Sequence, residues 1–342
     1  MKIALITTTI YVPRVLERYR ALDRDVVFFV AGDRETPHAE ARAFIDSLGN
    51  AAYYSDADQE KLGYKCSEII GWNKIMRRNI ALLEAIRWGA EIVVSVDDDN
   101  IPLDNNYFND FRSVLSSPFN GVKVTSASKW FNAGELLCPK IYHRGFPYDV
   151  RREDVRIRLT AIKGARVGVA AGLWLGDPDV DAMERITTKP WVHDVSEVLR
   201  RGLIVDHECQ TPFSSQNTAY VTALAPLMMV LVGVGRYDDI WASYIAQHVM
   251  AHTDYHIHFG KPFVWQERHP HNLWQNLKDE IFGMEYTGQF CQDLRAMDLG
   301  AGDLLTKLRR LYERLKVSEY VPRIVHELGV AWADDVEKVL SR

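Results

Sequence analysis

The sequence predicts an α/β protein: a mostly parallel sheet flanked by helices, with a helical C-terminal appendage. Three observations carry this. The first third alternates β-rich runs with helix-spaced runs in β-α-β-α-β order, the signature of a parallel sheet with helices on its faces. The apolar run IVVSV at 92–96 ends directly in Asp97, Asp98 and Asp99. After Asp303 the pattern turns amphipathic and helical, through LLTKLRRLYERL and IVHELGVAWADDVEKVL.

Each element has its own signal. Ile3–Thr8 is a β-rich run and forms the first strand. Val15–Leu22 follows with helical spacing, and VVFFV at 26–30 is a second buried strand before the polar loop 31–37. Over Asn73–Trp88, residues Ile75, Met76, Ile80, Leu83 and Ile86 fall on one helical face. Gly89 ends that helix, because glycine tolerates the left-handed turn at a helix end. Residues 92–96 are the next strand. Ligands of such sheets collect at the carboxyl ends of the strands, where the three aspartates lie. The stretch 123–212 has few long periodic segments and yields no clear elements. RYDDIWASYIAQHVMAH at 236–252 reads as a loop leading into a helix. The economical division is one catalytic domain, 1–300, and an appendage, 301–342.

Composition narrows the function. A net charge of −5 over 342 residues leaves no polybasic footprint and argues against nucleic-acid binding. The cysteines (Cys66, Cys138, Cys209, Cys291) are far apart, which suits a reducing cytoplasm and neither a zinc knuckle nor a disulfide framework. MKIALITTTI reads as a strand and not as a signal peptide. No run approaches the ~20 apolar residues of a membrane span. GxxxxGK[ST] is absent, and so is GxGxxG after the first strand, so neither a P-loop nor the usual flavin or dinucleotide fingerprint is present.

Consecutive aspartates repel one another, so their clustering at a strand end needs a reason. A hard divalent cation, Mg²⁺ or Mn²⁺, would relieve that repulsion and bridge the carboxylates to a diphosphate. The plain alternative is a solvated acidic turn. Lys74, Arg77 and Arg78 precede the strand, with Lys74 and Arg78 four apart on one helix face. They either hold a diphosphate or form a solvated face. Asp238 or Asp239 could cap the helix that follows, and Trp241 there either stacks on a sugar or belongs to the core. His248 and His252 have the spacing of a zinc pair but lack the HExxH glutamate between them.

Several of these motifs resemble known families. A strand ending in DDD is similar to the DxD signature of metal-dependent glycosyltransferases with the GT-A fold, a Rossmann-like architecture. HRGFPYDVRREDV (143–155), AAGLWLGDPDVDA (170–182) and VGRYDDIWASY (234–244) resemble, in that order, segments of the reversibly glycosylated polypeptides, the plant UDP-arabinopyranose mutases. NKIMRRNIALLEAIRWGAEIVVSVDDDN (73–100) is instead similar to STELLO-like proteins, which leaves the nucleotide open between UDP and GDP.

The resemblance implies a flavin-free enzyme that interconverts pyranose and furanose rings of a nucleotide-linked sugar, such as UDP-arabinose or a GDP-6-deoxyhexose. It implies Mn²⁺ or Mg²⁺ on Asp97 and Asp99, with Asp98 in support, and a late histidine, His269 or His271, completing the shell. Thr8, Asp33, Lys74, Arg78 and Asp98 are then the expected nucleotide and diphosphate contacts. Two family arginines seven residues apart, one of them reversibly glycosylated, match Arg144 and Arg151. Arg144 either captures the anomeric carbon or clamps the diphosphate; as a guanidinium it is a poor nucleophile. Asp238 and Asp239 stand where a general base is expected. The alternatives are a glycosyltransferase with a separate acceptor and a non-catalytic nucleotide-sugar-binding partner. A homo-oligomer is compatible with either; no membrane or nucleic-acid partner is expected.

Overall fold

The computed structural model describes residues 1–152, 156–268 and 272–341. The first third alternates strand and helix: β1 (Ile3–Thr9), α1 (Leu16–Leu22), β2 (Val27–Gly32), α2 (His38–Leu48), β3 (Ala51–Tyr54), α3 (Asp56–Leu62), α4 (Lys65–Ile70), α5 (Arg78–Trp88) and β4 (Ile92–Val96), of which α2, β3, α3 and α4 fall in a stretch for which the sequence predicted no element. The middle adds β5 (Asn100–Pro102), α6 (Tyr107–Ser116), β6 (Phe119–Ser126), β7 (Leu137–Cys138), β8 (Ile157–Gly176), α7 (Ala182–Thr188), β9 (Asp194–Val195), α8 (Glu197–Arg201), β10 (Leu203–Val205) and β11 (Asn217–Val221). The remainder is α9 (Asp238–Met250), β12 (Tyr255–Gln266), α10 (Leu273–Ala296), α11 (Leu304–Leu315) and α12 (Arg323–Leu340).

Ten strands form one sheet in the order β3-β2-β1-β4-β11-β8-β6-β10-β12-β5, and β8 also pairs along β12. From β3 to β4 every pairing is parallel. Every residue of β1 and of β4 is buried, which is why neither alternates: β1 opens on the apolar run Ile3–Ile6 and β4 is apolar except for Ser95. Beyond β4, antiparallel pairings enter through β11, which runs against both β4 and β8. The chain order reverses between β1 and β4, the kind of switch point where ligands bind in such sheets.

The helix expected from Asn73 begins later. A 3₁₀ turn, Ile75–Arg77, precedes α5. The buried Asp33 carboxylate explains the delay: it accepts the backbone N–H of Asn73 at 2.7 Å and of Lys74 at 2.8 Å. Those bonds hold Asn73 at φ +58° and Lys74 extended, outside helical geometry. Trp241 belongs to the core, stacked on Phe290 with centroids 4.0 Å apart.

The helices beyond residue 300 are tied to the main body. The core side chains Val325, Leu328, Trp332 and Val336 are fully buried, and α12 packs on α4 and α5. The Trp332 indole donates to Pro226 O at 2.7 Å. Asp335 accepts the N–H groups of Lys65 and Cys66 at 3.0 and 2.8 Å, capping the start of α4 from across the fold. All the cysteines are free thiols. No described helix is long and apolar enough to cross a membrane.

Candidate active site

A cleft of about 750 Å³ opens at the carboxyl ends of β1, β2 and β4. Because these strands are parallel and adjacent, their ends bring Thr8 and Thr9, Asp33, and Asp97, Asp98 and Asp99 to one rim. The antiparallel β11 sets the other side. Its pairing with β4 places Gln216 beside the triplet, where Gln216 O accepts the Asp97 N–H at 3.0 Å. Lys74, Arg78, Arg144, Asp238 and Asp239 also line the cleft.

Each aspartate of the triplet has a different partner. Asp97 is ion-paired with Arg78, whose guanidinium is buried and also donates to Ser215 O at 2.9 Å. Asp98 accepts the Thr9 hydroxyl at 2.5 Å, locking the end of β4 to the end of β1. Asp99 accepts from the Asn100 amide at 3.0 Å. Burial, then the neighbouring charge of Asp97, pushes the Asp99 carboxyl up to about 6. That is the electrostatic crowding a cation would relieve.

Hard oxygen donors that suffer from their own charge fit a Mg²⁺ or Mn²⁺ ion, so Asp97 and Asp99 are suited to hold one. Among the described residues, however, no three His, Cys, Asp or Glu side chains converge on a metal-binding position. A metal here would therefore take further ligands from substrate and water. His269 and His271 lie outside the described residues. The His248–His252 pair is not a metal cluster either: His248 Nε2 lies 3.0 Å from Met297 O.

Three separate segments meet at Arg144, which is buried. Its Nε and Nη2 donate to Asp179 at 2.9 and 3.1 Å. Its Nη1 and Nη2 donate to Asp239 at 3.0 and 3.2 Å, and Nη1 also donates to Arg236 O. A guanidinium has five N–H donors, and all five are used. Burial opposes its charge, but the two carboxylates outweigh this and hold its pKa well above the usual arginine value. Burial opposes the charge of Asp179 as well, but Arg144 and then Arg268 outweigh it and hold its carboxyl well below the carboxylate range.

The acidic pair at the start of α9 is split. Asp239 is fixed by Arg144 and by the Ser215 N–H at 3.3 Å. Asp238 accepts the Val234 N–H at 2.8 Å, and burial pushes its carboxyl up to about 8. Neither caps the helix from the N-cap position, which Tyr237 occupies.

The remaining expected residues divide. Thr8 spends its hydroxyl on Ala31 O at 2.8 Å, and Asp33 spends its carboxylate on backbone N–H groups. Lys74 is exposed at the rim and forms no ion pair among the described residues. Arg77 turns inward onto Gln59 and Ser67. Arg151 is not brought to the cleft; it pairs with Asp181 at 2.7 Å and stacks over Tyr148 at 3.9 Å. Sequence reasoning missed Thr9, Asp179 and Arg268. Asp179 lies within the quoted DPDVDA segment, and Arg268 directly precedes the histidines that drew attention.

The sequence model of a family described as "Reversibly glycosylated polypeptide" matches residues 12–303. This chain belongs to that family. The family match spans all three segments that Arg144 ties together, and it ends just before α11.

Several similar proteins come from plants. "Probable UDP-arabinopyranose mutase 4" of Arabidopsis thaliana is 26% identical over 270 residues, covering 72% of this chain and 68% of the relative. "UDP-arabinopyranose mutase 3" of Arabidopsis thaliana is 30% identical over 156 residues, covering 44% of this chain and 38% of the relative. "UDP-arabinopyranose mutase 1" of Oryza sativa subsp. japonica is 30% identical, covering 41% and 36%. The chain thus aligns with about two thirds of the first and well under half of the others.

Among solved structures, a Pyrobaculum calidifontis mannosyltransferase bound to GDP-Man and Mn²⁺ superposes with a TM-score of 0.40 at 11% identity, covering 97% of this chain and 86% of that one. S. aureus TarS bound to UDP-GlcNAc gives 0.42 at 13%, covering 100% and 91%.

Proposed function

We propose that this family member is a divalent-metal-dependent, flavin-independent nucleotide-sugar mutase that interconverts pyranose and furanose forms of a UDP- or GDP-linked sugar. The observation that supports this most is the cleft itself. One concavity holds a carboxylate triplet suited to a metal–diphosphate, the rim cation Lys74, and an acidic pair of which Asp239 is ion-paired with Arg144 while burial pushes Asp238 up to about 8. Family membership and the mutase names of the relatives support the same reaction class.

Asp97 and Asp99 would hold Mg²⁺ or Mn²⁺, which when bound offsets the charge gathering on a departing diphosphate. Arg78 orients Asp97, and Thr9 orients Asp98, so the triplet is preorganised by neighbours that need not move. As the anomeric C–O bond breaks, the sugar gains oxocarbenium character. Asp239, fixed in place by its ion pair with Arg144, is the carboxylate available to stabilise it. Ring opening and reclosure move one proton from the closing hydroxyl to the former ring oxygen. Asp238, neutral near pH 7 and able to give or take a proton, suits that exchange. Arg144 acts through Asp239 as a positioning residue. Covalent capture would require it to lose a proton that two carboxylates hold in place.

Incubation with UDP- and GDP-furanoses and Mn²⁺, without acceptor, is expected to yield the pyranose isomer, read by chromatography. Hydrolysis alone, or turnover that needs an added acceptor, would replace this reading with a hydrolase or a glycosyltransferase.

A further inference from the structure

We infer that Arg268 is an anion-binding residue of the cleft, poised to take an oxygen of the nucleotide's distal phosphate. The inference rests on the nucleotide-sugar reading above and adds a residue to it. Its ground is an imbalance among buried arginines. Arg77 and Arg144 are buried, and each meets several acceptors at ordinary hydrogen-bond distance. The Arg268 side chain is 9% exposed, yet its contacts to Asp179, Gln216 and Gln266 are all at 3.4 Å. Its Nε–H has no partner among the described residues.

A buried cation with weak partners is costly unless something completes them. Asp179 does not, because its two oxygens are engaged at shorter range by Arg144. The open side of Arg268 is the cleft, which it lines together with Asp99. The register of β12 on β5 explains how it reaches there. Gln266 pairs with Asn100, so the chain leaving β12 runs back beside the triplet. Charge-assisted bonds to a phosphate oxygen would satisfy the idle donor.

The position also selects the phosphate. Thr8 and Asp33 lie at the ends of β1 and β2, on one side of β4. Arg268 lies on the other side, near Arg144 and Asp179. With the nucleoside over β1 and β2, Arg268 meets the phosphate that carries the sugar.

Calorimetric titration of UDP, GDP and the matching monophosphates, each with Mn²⁺, tests this on the wild type, Arg268→Gln and Arg268→Lys. Loss of a charge-assisted bond predicts diphosphate binding weakened by about tenfold to a hundredfold in Arg268→Gln, with the monophosphate nearly unaffected. Arg268→Lys is expected to recover part of the loss, and it keeps the test open if the glutamine variant fails to fold. Unchanged diphosphate affinity, or equal weakening for mono- and diphosphate, would make Arg268 a structural partner of Asp179 and overturn the inference. A wild type that binds neither diphosphate would instead bring down the nucleotide-sugar reading, and this inference with it.

Discussion

At the residue scale the site is a set of carboxylates whose neighbours decide what each can do. Asp239 is ion-paired with Arg144, whereas burial leaves Asp238 neutral up to about pH 8. This split has a measurable consequence for stability. An unfolded Asp titrates near about 3.9, so between there and about 8 the folded protein holds a proton that the unfolded chain has lost. Stability from this group is therefore full at low pH, falls through that window and is gone above it. Asp238→Asn has no charge to lose. Its melting temperature is expected to fall less than the wild type's between about pH 5 and about pH 9; parallel curves would show that Asp238 is already ionised. Arg144→Met would leave Asp179 and Asp239 buried without their counter-charge. Urea unfolding should register a loss of about 3–5 kcal/mol, the usual cost of breaking a buried pair from one side. A loss under about 1 kcal/mol, the scale of an exposed ion pair, would mean that Arg144 does not hold the two carboxylates in place. None of this balance was legible in the sequence, where Asp238 and Asp239 are indistinguishable. Their difference comes from the burial of Asp238 and from the ion pair of Asp239 with Arg144, ninety-odd positions away in the chain.

At the element scale, β1, β2 and β4 were legible because they are largely apolar and buried on both faces, whereas the short β3, with only Tyr53 buried, gave no such signal. The 20-residue β8 was not, because its pattern changes midway. Its outer half projects with mixed exposure, and its inner half is buried except at Leu175, so no single period describes it. The start of α5 was misplaced because Asp33, remote in sequence, pins the backbone before it. The turn that carries Arg144 depends on Gly145, at φ +84°, where an added Cβ would lie 2.1 Å from Ile240 Cγ2. Its carbonyl is held by the Tyr244 hydroxyl at 2.9 Å, so the turn cannot simply swing away from α9. Gly145→Ala is expected to cost roughly 2–4 kcal/mol and most of the turnover, since it displaces Arg144 from Asp239. Gly63, at φ +63° with open space around it, is the control. Gly63→Ala should cost only about 1–2 kcal/mol and leave turnover intact. Equal effects of the two substitutions on turnover would remove the Arg144 turn from the account.

At the scale of the whole molecule, the family match stops at residue 303, while the fold continues into α11 and α12. Sequence periodicity marked both helices but could not show what their apolar faces cover. The structure sets α12 on α4 and α5, with Asp335 capping α4. A chain ended at residue 303 would uncover that surface, and it is expected to collect in the insoluble fraction. A soluble chain that still unfolds cooperatively would favour an independent domain over 1–300. The central claim, that the sugar leaves its diphosphate and returns to it within one closed cleft, has a direct test. A nucleotide-furanose labelled with heavy oxygen between the anomeric carbon and the distal phosphate is incubated with enzyme and Mn²⁺, without acceptor, and the label is located by phosphorus NMR. The account predicts pyranose product in which the label has spread from the bridge into the non-bridging positions of that phosphate. Pyranose product that keeps all its label in the bridge would contradict it, because the bond would never have broken.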